Sequence, residues 1–256
     1  MESLTYVLVF SLIGASLGSF LNVVAQRSIA GASWWGRERS ACPMCGRTLS
    51  CRDLFPLFSY LCLRGRCRHC GGKIPLRYVG VELLGAFMGA ALFLKWGLSP
   101  ALLFGFIAAF GLLLNALTDI DEGNVFDVFP LVMGICGLGL RLAAGREALL
   151  DGLAGGASAF AAVACIILLS RGGMGWGDAT LMAGTGAVLG WKFALLTLYL
   201  GFMAGGVISL TLLALGKVKR KDALPLVPFL ALGWMAALLG GPWMLSLAGT
   251  GPGWPW

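Results

Sequence analysis

Apolar runs of about 20 residues recur along almost the whole chain, and they constrain its fold more than any other feature. A run of this length crosses the hydrocarbon core of a bilayer as an α-helix, whereas a membrane β-barrel shows short alternating segments. Only 12% of the 256 residues are charged, against about 25% in soluble domains. The sequence therefore predicts an all-α, polytopic membrane helical bundle.

Eight membrane spans are predicted, and the fourth and sixth are short enough to be tilted or partly re-entrant. If the long polar loop after the first span is cytoplasmic, 15 of the 19 Lys and Arg residues lie on that side. The other four lie in the predicted outer loops, and they are Lys95, Arg141, Arg146 and Lys192. The positive-inside rule favours this orientation, with the N-terminus outside. We interpret the basic loops as orientation signals and expect no nucleic-acid partner. The predicted spans are 4–25, 78–96, 101–119, 127–141, 149–170, 178–191, 193–215 and 224–245.

The first span has no basic residue ahead of it and no A-x-A cleavage site after it, so we expect a retained helix and not a signal peptide. The organisation predicted is a first transmembrane helix in 1–25, a cytoplasmic zinc-binding domain in 26–77 and a transmembrane core in 78–256.

Two C-x-x-C pairs in the 26–77 insert are separated by 21 residues and offer four thiolates for a tetrahedral Zn²⁺. A small cytoplasmic insert needs a stabilising metal site of this kind, because disulfides are disfavoured in the cytoplasm. Four thiolates close the coordination sphere, so this zinc would be structural. His69, Cys51 and Cys62 are alternative ligands, but the spacing favours the paired cysteines. The predicted ligands are Cys42, Cys45, Cys67 and Cys70.

Asp119 and Asp178 are candidate catalytic acids because each lies at the end of a predicted span, on the same predicted face. Two adjacent carboxylates can share one proton, which leaves one acid and one base, as aspartyl proteolysis requires. The glycines at 173, 175 and 177 would let backbone approach Asp178 closely. Helix-end acids in contact with water remain an alternative. So does an ion pathway of a transporter, although transporter acids cluster near the midplane.

The whole chain resembles the type IV prepilin peptidases, which are membrane aspartyl proteases of the G-x-G-D class with an N-methyltransferase activity. The match includes the opening motif, the cysteine block, the D-x-D-x₅-D segment, the G-x-G-D turn and the last motif. The corresponding stretches are "GSFLNVVAQR" (18–27), residues 42–84, "DIDEGNVFD" (119–127), "GMGWGD" (173–178) and "PLVPF" (225–229).

The resemblance implies that Asp119 and Asp178 cleave the leader of type IV prepilins or pseudopilins in the bacterial inner membrane. It also implies methylation of the new N-terminus with S-adenosylmethionine as donor, and it points to Glu82 and Gly18 as residues of that activity. No glycine-rich nucleotide-binding signature accompanies these two residues.

Two positions and one stretch depart from the family pattern. Thr180 stands where members commonly have Lys, Phe126 stands where they often have Pro, and the stretch 28–41 lacks the usual R-L-P. The last departure leaves open a peptidase without methyltransferase activity. A zinc-stabilised transporter or scaffold is the alternative from a different class.

Overall fold

A computed structural model describes residues 2–34, 39–170, 174–219, 224–247, 249–251 and 255 of the chain. Gly173, which was predicted to adjoin the catalytic turn, lies outside these residues, as do parts of the 28–41 stretch and of the basic 217–221 loop. The described residues form two compact units, 1–102 and 103–256.

Every predicted span is a helix, and most helix ends fall within a few residues of the prediction. Within the described part of the chain, six helices (α1, α3, α4, α6, α8 and α9) are long and apolar enough to cross a membrane. The helices are α1 (Glu2–Ile29), α2 (Phe58–Cys62), α3 (Leu76–Trp96), α4 (Pro100–Glu122), α5 (Val128–Ala144), α6 (Arg146–Leu169), α7 (Trp176–Leu189), α8 (Trp191–Ala214) and α9 (Val227–Leu247), with a 3₁₀ turn at Cys51–Asp53.

The two spans predicted to be short are the shortest of the eight. α5 has 17 residues and α7 has 14, which correspond to about 26 Å and 21 Å of helix. Both are shorter than the hydrocarbon core, which is about 30 Å thick. α7 packs against α5 and α6 through glycines that have no side chain to hold the backbones apart: Gly184 contacts Pro130, and Gly186 contacts Gly155.

In the first unit, α1 packs against α3 through two facing G-x-x-x-G motifs. A Cβ atom on Gly14 would overlap the carbonyl oxygen of Gly85, and one on Gly89 would overlap that of Phe10. Such small-residue stripes let membrane helices approach until their backbones are in contact. The contact explains why these glycines recur four residues apart on both helices.

Arg141 differs from its sequence-based assignment, which put it among the basic residues of an outer loop. It lies in the last turn of α5, has no exposed surface and forms an ion pair of 2.8 Å with Asp151. Its guanidinium also donates to the carbonyl oxygens of Ala148 and Val188. The sequence places a cation near a helix end, but only the packing of α5, α6 and α7 shows that it is buried.

Candidate active site

Asp119 lies on the last turn of α4 and is 7% exposed. The helix was predicted to end at this residue, but it continues to Glu122 and stops at Gly123, which has a positive φ of 65°. The Gly123 amide donates to the Asp119 carbonyl at 2.8 Å, as expected for a glycine that ends a helix in the left-handed conformation. Asp119 therefore sits inside the helix, where its backbone is fixed on both sides.

The Asp119 carboxylate accepts a hydrogen bond from a distant backbone group. The Val227 N–H donates to its Oδ2 atom at 2.8 Å. Val227 is the first residue of α9 and belongs to the "PLVPF" motif. The first amides of a helix have no partner within it and favour an anion. This contact gives the last motif a physical role that its sequence did not reveal.

Asp178 lies in the first turn of α7, three residues after Gly175. It is half-buried, and its carboxylate is close enough to that of Asp119 for the two charges to interact. A Cβ on Gly177 would lie 2.9 Å from the Cβ of Val125, in the loop that follows α4. Glycine is therefore needed next to Asp178 so that its turn can approach the loop after Asp119. The structure brings the two sequence-predicted acids together.

Thr180, one of the departures from the family pattern, is next to a third acid. Its hydroxyl lies 2.7 Å from Oδ1 of Asp127, the last aspartate of the D-x-D-x₅-D segment, and 2.9 Å from the carbonyl of Gly177. A lysine at this position would place a cation near the same carboxylate. In this protein the uncharged Thr180 hydroxyl makes the contact instead, and it links α7 to the residue that precedes α5.

The four predicted metal-ligating cysteines converge. Their Sγ atoms all lie within 4.8 Å of one another, and Cys42 and Cys70 are 3.9 Å apart. Zn–S bonds of about 2.3 Å in a tetrahedron separate sulfurs by about 3.8 Å. The donor set and its spacing therefore fit Zn²⁺. His69 instead lies 2.8 Å from the Arg47 guanidinium.

The two C-x-x-C pairs form knuckles of matching construction. In each, the first cysteine's amide binds the carbonyl five residues on, and its carbonyl accepts from a glycine four residues on. Those glycines, Gly46 and Gly71, have positive φ angles of 68° and 69°. Between the knuckles, the Asp53 carboxylate accepts hydrogen bonds from Ser50 and from the Arg68 guanidinium, and these bonds fix the segment. The same bonds hold the pKa of the Asp53 carboxyl at about 2.

Glu82 is buried on α3 and accepts two hydrogen bonds of 2.8 Å, one from the Ser19 hydroxyl and one from the Leu57 amide. Leu57 has a positive φ of 64° in a tight turn in which the Phe58 amide binds the Pro56 carbonyl at 2.7 Å. A γ-turn of this kind is strained for a residue with a side chain. Glu82 therefore ties a strained turn of the insert to the α1–α3 pair.

Gly18 has a packing reason for being glycine. A Cβ there would lie 2.7 Å from the carbonyl oxygen of Val81. Because Gly18 precedes Ser19 and Val81 precedes Glu82, this close approach of the two backbones lets the Ser19 hydroxyl reach the Glu82 carboxylate. The two residues that the resemblance associated with methylation are thus neighbours in one structural contact.

A cavity of about 330 Å³ lies next to Glu82 within the first unit. Its walls come from α1, both cysteine knuckles, the segment between them and α3. Cavities of this size hold small-molecule ligands. Sequence reasoning missed this cavity because its walls come from segments up to about 60 residues apart, and the chain has no local nucleotide-binding motif.

Comparison with known proteins places this architecture in one class. Residues 12–96 match the family model of the Bacterial Peptidase A24 N-terminal domain, and residues 106–210 match the Type IV leader peptidase family. The first match lies entirely within the first compact unit and the second match entirely within the second. Asp119 and Asp178 both lie in the second match.

Relatives that match over most of their length carry the name Prepilin leader peptidase/N-methyltransferase. The protein of Burkholderia pseudomallei (strain 1026b) is 33% identical, over 93% of this chain and 86% of its own. That of Pseudomonas aeruginosa is 32% identical, over 93% and 91%, and that of Bacillus subtilis is 32% identical, over 81% and 84%. No solved structure matches the chain.

The chain therefore belongs to the prepilin leader peptidase/N-methyltransferase family. It is a multi-pass inner-membrane protein and an enzyme, and membership of this family replaces the transporter and scaffold interpretations.

Proposed function

We propose that this protein removes the leader from type IV prepilins or pseudopilins at Asp119 and Asp178, and then methylates the new N-terminus. The observation that carries the proposal is the close approach of the glycine-rich turn before Asp178 to the loop after Asp119, with the two carboxylates near enough for their charges to interact. Such a turn leaves room for an extended substrate strand.

The cleavage step needs one ionised and one protonated carboxyl group. The ionised carboxylate takes a proton from water, and the resulting hydroxide adds to the scissile carbonyl carbon. The protonated acid gives its proton to the carbonyl oxygen. When the tetrahedral intermediate collapses, the C–N bond breaks and the leaving nitrogen takes the proton that the first carboxyl group received from water. A hydroxyl proton of the intermediate returns to the second carboxyl group, which restores the starting pair. We assign the ionised role to Asp119, because a hydrogen bond from the Val227 amide stabilises a negative charge.

The proposed topology puts the zinc insert and both aspartates on the cytoplasmic side. Arg141 is buried in an ion pair, so only three of the four basic residues assigned to the outer side remain as loop charges. The excess of basic residues in the proposed cytoplasmic loops is therefore larger than the sequence count implied. A prepilin with a basic leader and an apolar helix would present its scissile bond at this interface.

We propose that Cys42, Cys45, Cys67 and Cys70 hold one structural Zn²⁺. Bound there, the ion would close the two knuckles and supply folding energy to an insert with little hydrophobic core. The four thiolates leave no open coordination position, so neither reaction is routed through the metal. The proposed organisation remains a first helix (1–25), a zinc-binding domain (26–77) and a transmembrane core (78–256).

Methylation requires a free amine, which exists only after the leader has been removed, so the two activities act in sequence on one substrate. S-adenosylmethionine would supply the electrophilic methyl group when bound. We assign Glu82 to this activity, and Gly18 as the residue whose close packing positions Ser19 and Glu82. A peptidase without methyltransferase activity is the remaining alternative.

Incubation of the purified protein in lipid with a candidate prepilin and S-adenosylmethionine tests the proposal. Mass spectrometry of the pilin should show loss of the leader and addition of one methyl group. A full-length pilin after prolonged incubation with active, zinc-loaded protein would contradict the peptidase assignment. Leader loss without a methyl group would leave a peptidase only.

A further inference from the structure

Glu82 is a buried acid whose charge is not matched by a cation. Only 8% of it is exposed, and both hydrogen bonds that it accepts come from neutral donors, the Ser19 hydroxyl and the Leu57 amide. Among the described residues, no Lys or Arg forms an ion pair with it. Buried carboxylates are normally paired with a cation. Glu82 also lines the cavity of the first unit, so a cation bound in that cavity would complete its environment.

We propose that this cavity binds the sulfonium methyl donor and that Glu82 is the counter-ion of the sulfonium. The proposal rests on the methyltransferase half of the proposed function, for which it supplies a site. Transfer changes the charge that faces Glu82: the amine lone pair forms the N–C bond, and the electrons of the C–S bond return to sulfur. The sulfur becomes a neutral thioether, and the new ammonium loses a proton to water. A buried anion therefore favours the charged donor over the spent one.

Other residues of the cavity suit the remainder of such a donor. The exposed cations Arg39 and Lys73 line it and match the carboxylate of the donor's amino-acid part. Tyr78, whose hydroxyl donates to Gln26 at 3.2 Å, contributes polar and aromatic surface. At about 330 Å³ the cavity is at the lower end of the range for small-molecule sites.

Binding measurements on the zinc-loaded, full-length protein in detergent test the proposal without reference to activity. Kd values are measured for S-adenosylmethionine and for S-adenosylhomocysteine, which differ by the methyl group and the positive charge. We expect the wild-type protein to bind the charged ligand at least about tenfold more tightly, which corresponds to about 1.4 kcal/mol.

Glu82→Gln is the decisive variant because it removes the charge and keeps the shape. The glutamine carbonyl can accept from the Leu57 amide, and its NH₂ group can donate to the Ser19 oxygen, so both contacts survive. The ratio of the two Kd values should fall to about one. If Glu82 has a purely structural role, Glu82→Gln should instead weaken the binding of both ligands equally and leave the ratio of their Kd values unchanged. That result would overturn the proposal.

A steric pair of variants on α1 locates the ligand. Val23 lines the cavity, so Val23→Phe should weaken both ligands by about tenfold or more. Val9 is 45% exposed on the same helix and does not line the cavity, so Val9→Phe is the matched control and should bind as the wild type does. Equal binding by both variants would place the donor elsewhere and contradict the proposal.

The cation could also be the ammonium of the cleaved pilin. A peptide with the mature pilin N-terminus is therefore titrated in parallel. If Glu82→Gln weakens the peptide and leaves the donor ratio unchanged, the donor assignment is wrong. Methylation by the same wild-type preparation separates the two claims: methyl transfer with no preference for the charged donor overturns this inference alone, whereas binding without transfer overturns the methyltransferase assignment.

Discussion

The two compact units hold their acids in opposite ways. In the first unit, Glu82 is enclosed by bonds that tie a strained turn to a helix pair, and its neighbourhood is braced by the cysteine cluster. In the second unit, Asp119 accepts a hydrogen bond from a helix N-terminus, and Asp178 follows a glycine-rich turn, close enough for the two charges to interact. The arrangement around Glu82 suits the binding of a charged ligand, and the arrangement of the two aspartates suits proton transfer. This difference is the basis for assigning methylation and cleavage to separate regions.

Loss of either aspartate should have the largest effect. We expect Asp119→Asn and Asp178→Asn each to lower leader cleavage by at least 10²–10⁴-fold, because an amide can act as neither acid nor base at these positions. Zinc content and thermal stability should stay near those of the wild type. Cleavage at an almost normal rate by either purified variant would break the assignment of proteolysis to the second unit.

Loss of the bound zinc should affect the first unit, and therefore methylation, more than it affects cleavage. The double variant Cys42→Ser/Cys67→Ser should lose the bound zinc found by metal analysis of the wild type. Because the cluster braces the first unit, methylation should fall much more than cleavage. Cys51→Ser/Cys62→Ser is the matched control, since both cysteines lie in the insert but outside the cluster. Full zinc occupancy in the first double variant would show that the ligands are others.

The Val227 amide offers a sharper probe of Asp119. Proline is tolerated at the first position of a helix, where its missing N–H has no helical partner. Val227→Pro should therefore keep α9 and remove the hydrogen bond to Asp119. Since hydrogen bonds to charged groups contribute about 1.5–3 kcal/mol, cleavage should fall by about 10- to 100-fold.

Val227→Ala is the control, because it truncates the same side chain but keeps the N–H. It should lose some stability and retain most of its cleavage rate. If the alanine and proline variants have the same rate, the backbone contact has no part in catalysis.

Thr180 should show the smallest effect. Thr180→Val keeps the shape and removes the hydroxyl that contacts Asp127, so we expect cleavage to fall by about two- to tenfold, given about 0.5–1.5 kcal/mol for the bond. Thr180→Ser should be close to wild type. Thr180→Lys, the family's common residue, should also remain active because an ammonium can contact the same carboxylate. An inactive lysine variant would mean that the turn around Asp178 has diverged from that of the relatives.

The sequence was sufficient for those features that depend on periodicity and local spacing. Hydrophobic length predicted the helices, and the paired C-x-x-C motifs predicted a cluster whose sulfurs do converge. The facing G-x-x-x-G motifs were also visible in the sequence and would have predicted the contact between α1 and α3. Each of these features is encoded by short local sequence motifs.

The features that escaped prediction depend on distant segments. Val227 is 108 residues from Asp119, and Leu57 is 25 residues from Glu82. Both donate through backbone amides, which have no side-chain identity that a motif could record. Arg141 was assigned to a loop because the sequence does not reveal that three helices pack around this residue and bury it. Long-range backbone contacts are thus where a structure adds most to the sequence.

The central claim is that cleavage and methylation use separate regions, and the pilin N-terminus records both reactions. Wild type, Asp178→Asn and Glu82→Gln are each given precursor pilin and pre-cleaved pilin with S-adenosylmethionine, and mass spectrometry measures leader loss and methyl addition independently. We expect Asp178→Asn to methylate pre-cleaved pilin but not cleave the precursor, and Glu82→Gln to cleave the precursor but methylate poorly. If both variants lose both reactions to the same extent while remaining folded and zinc-loaded, the two activities share one site and the account is wrong.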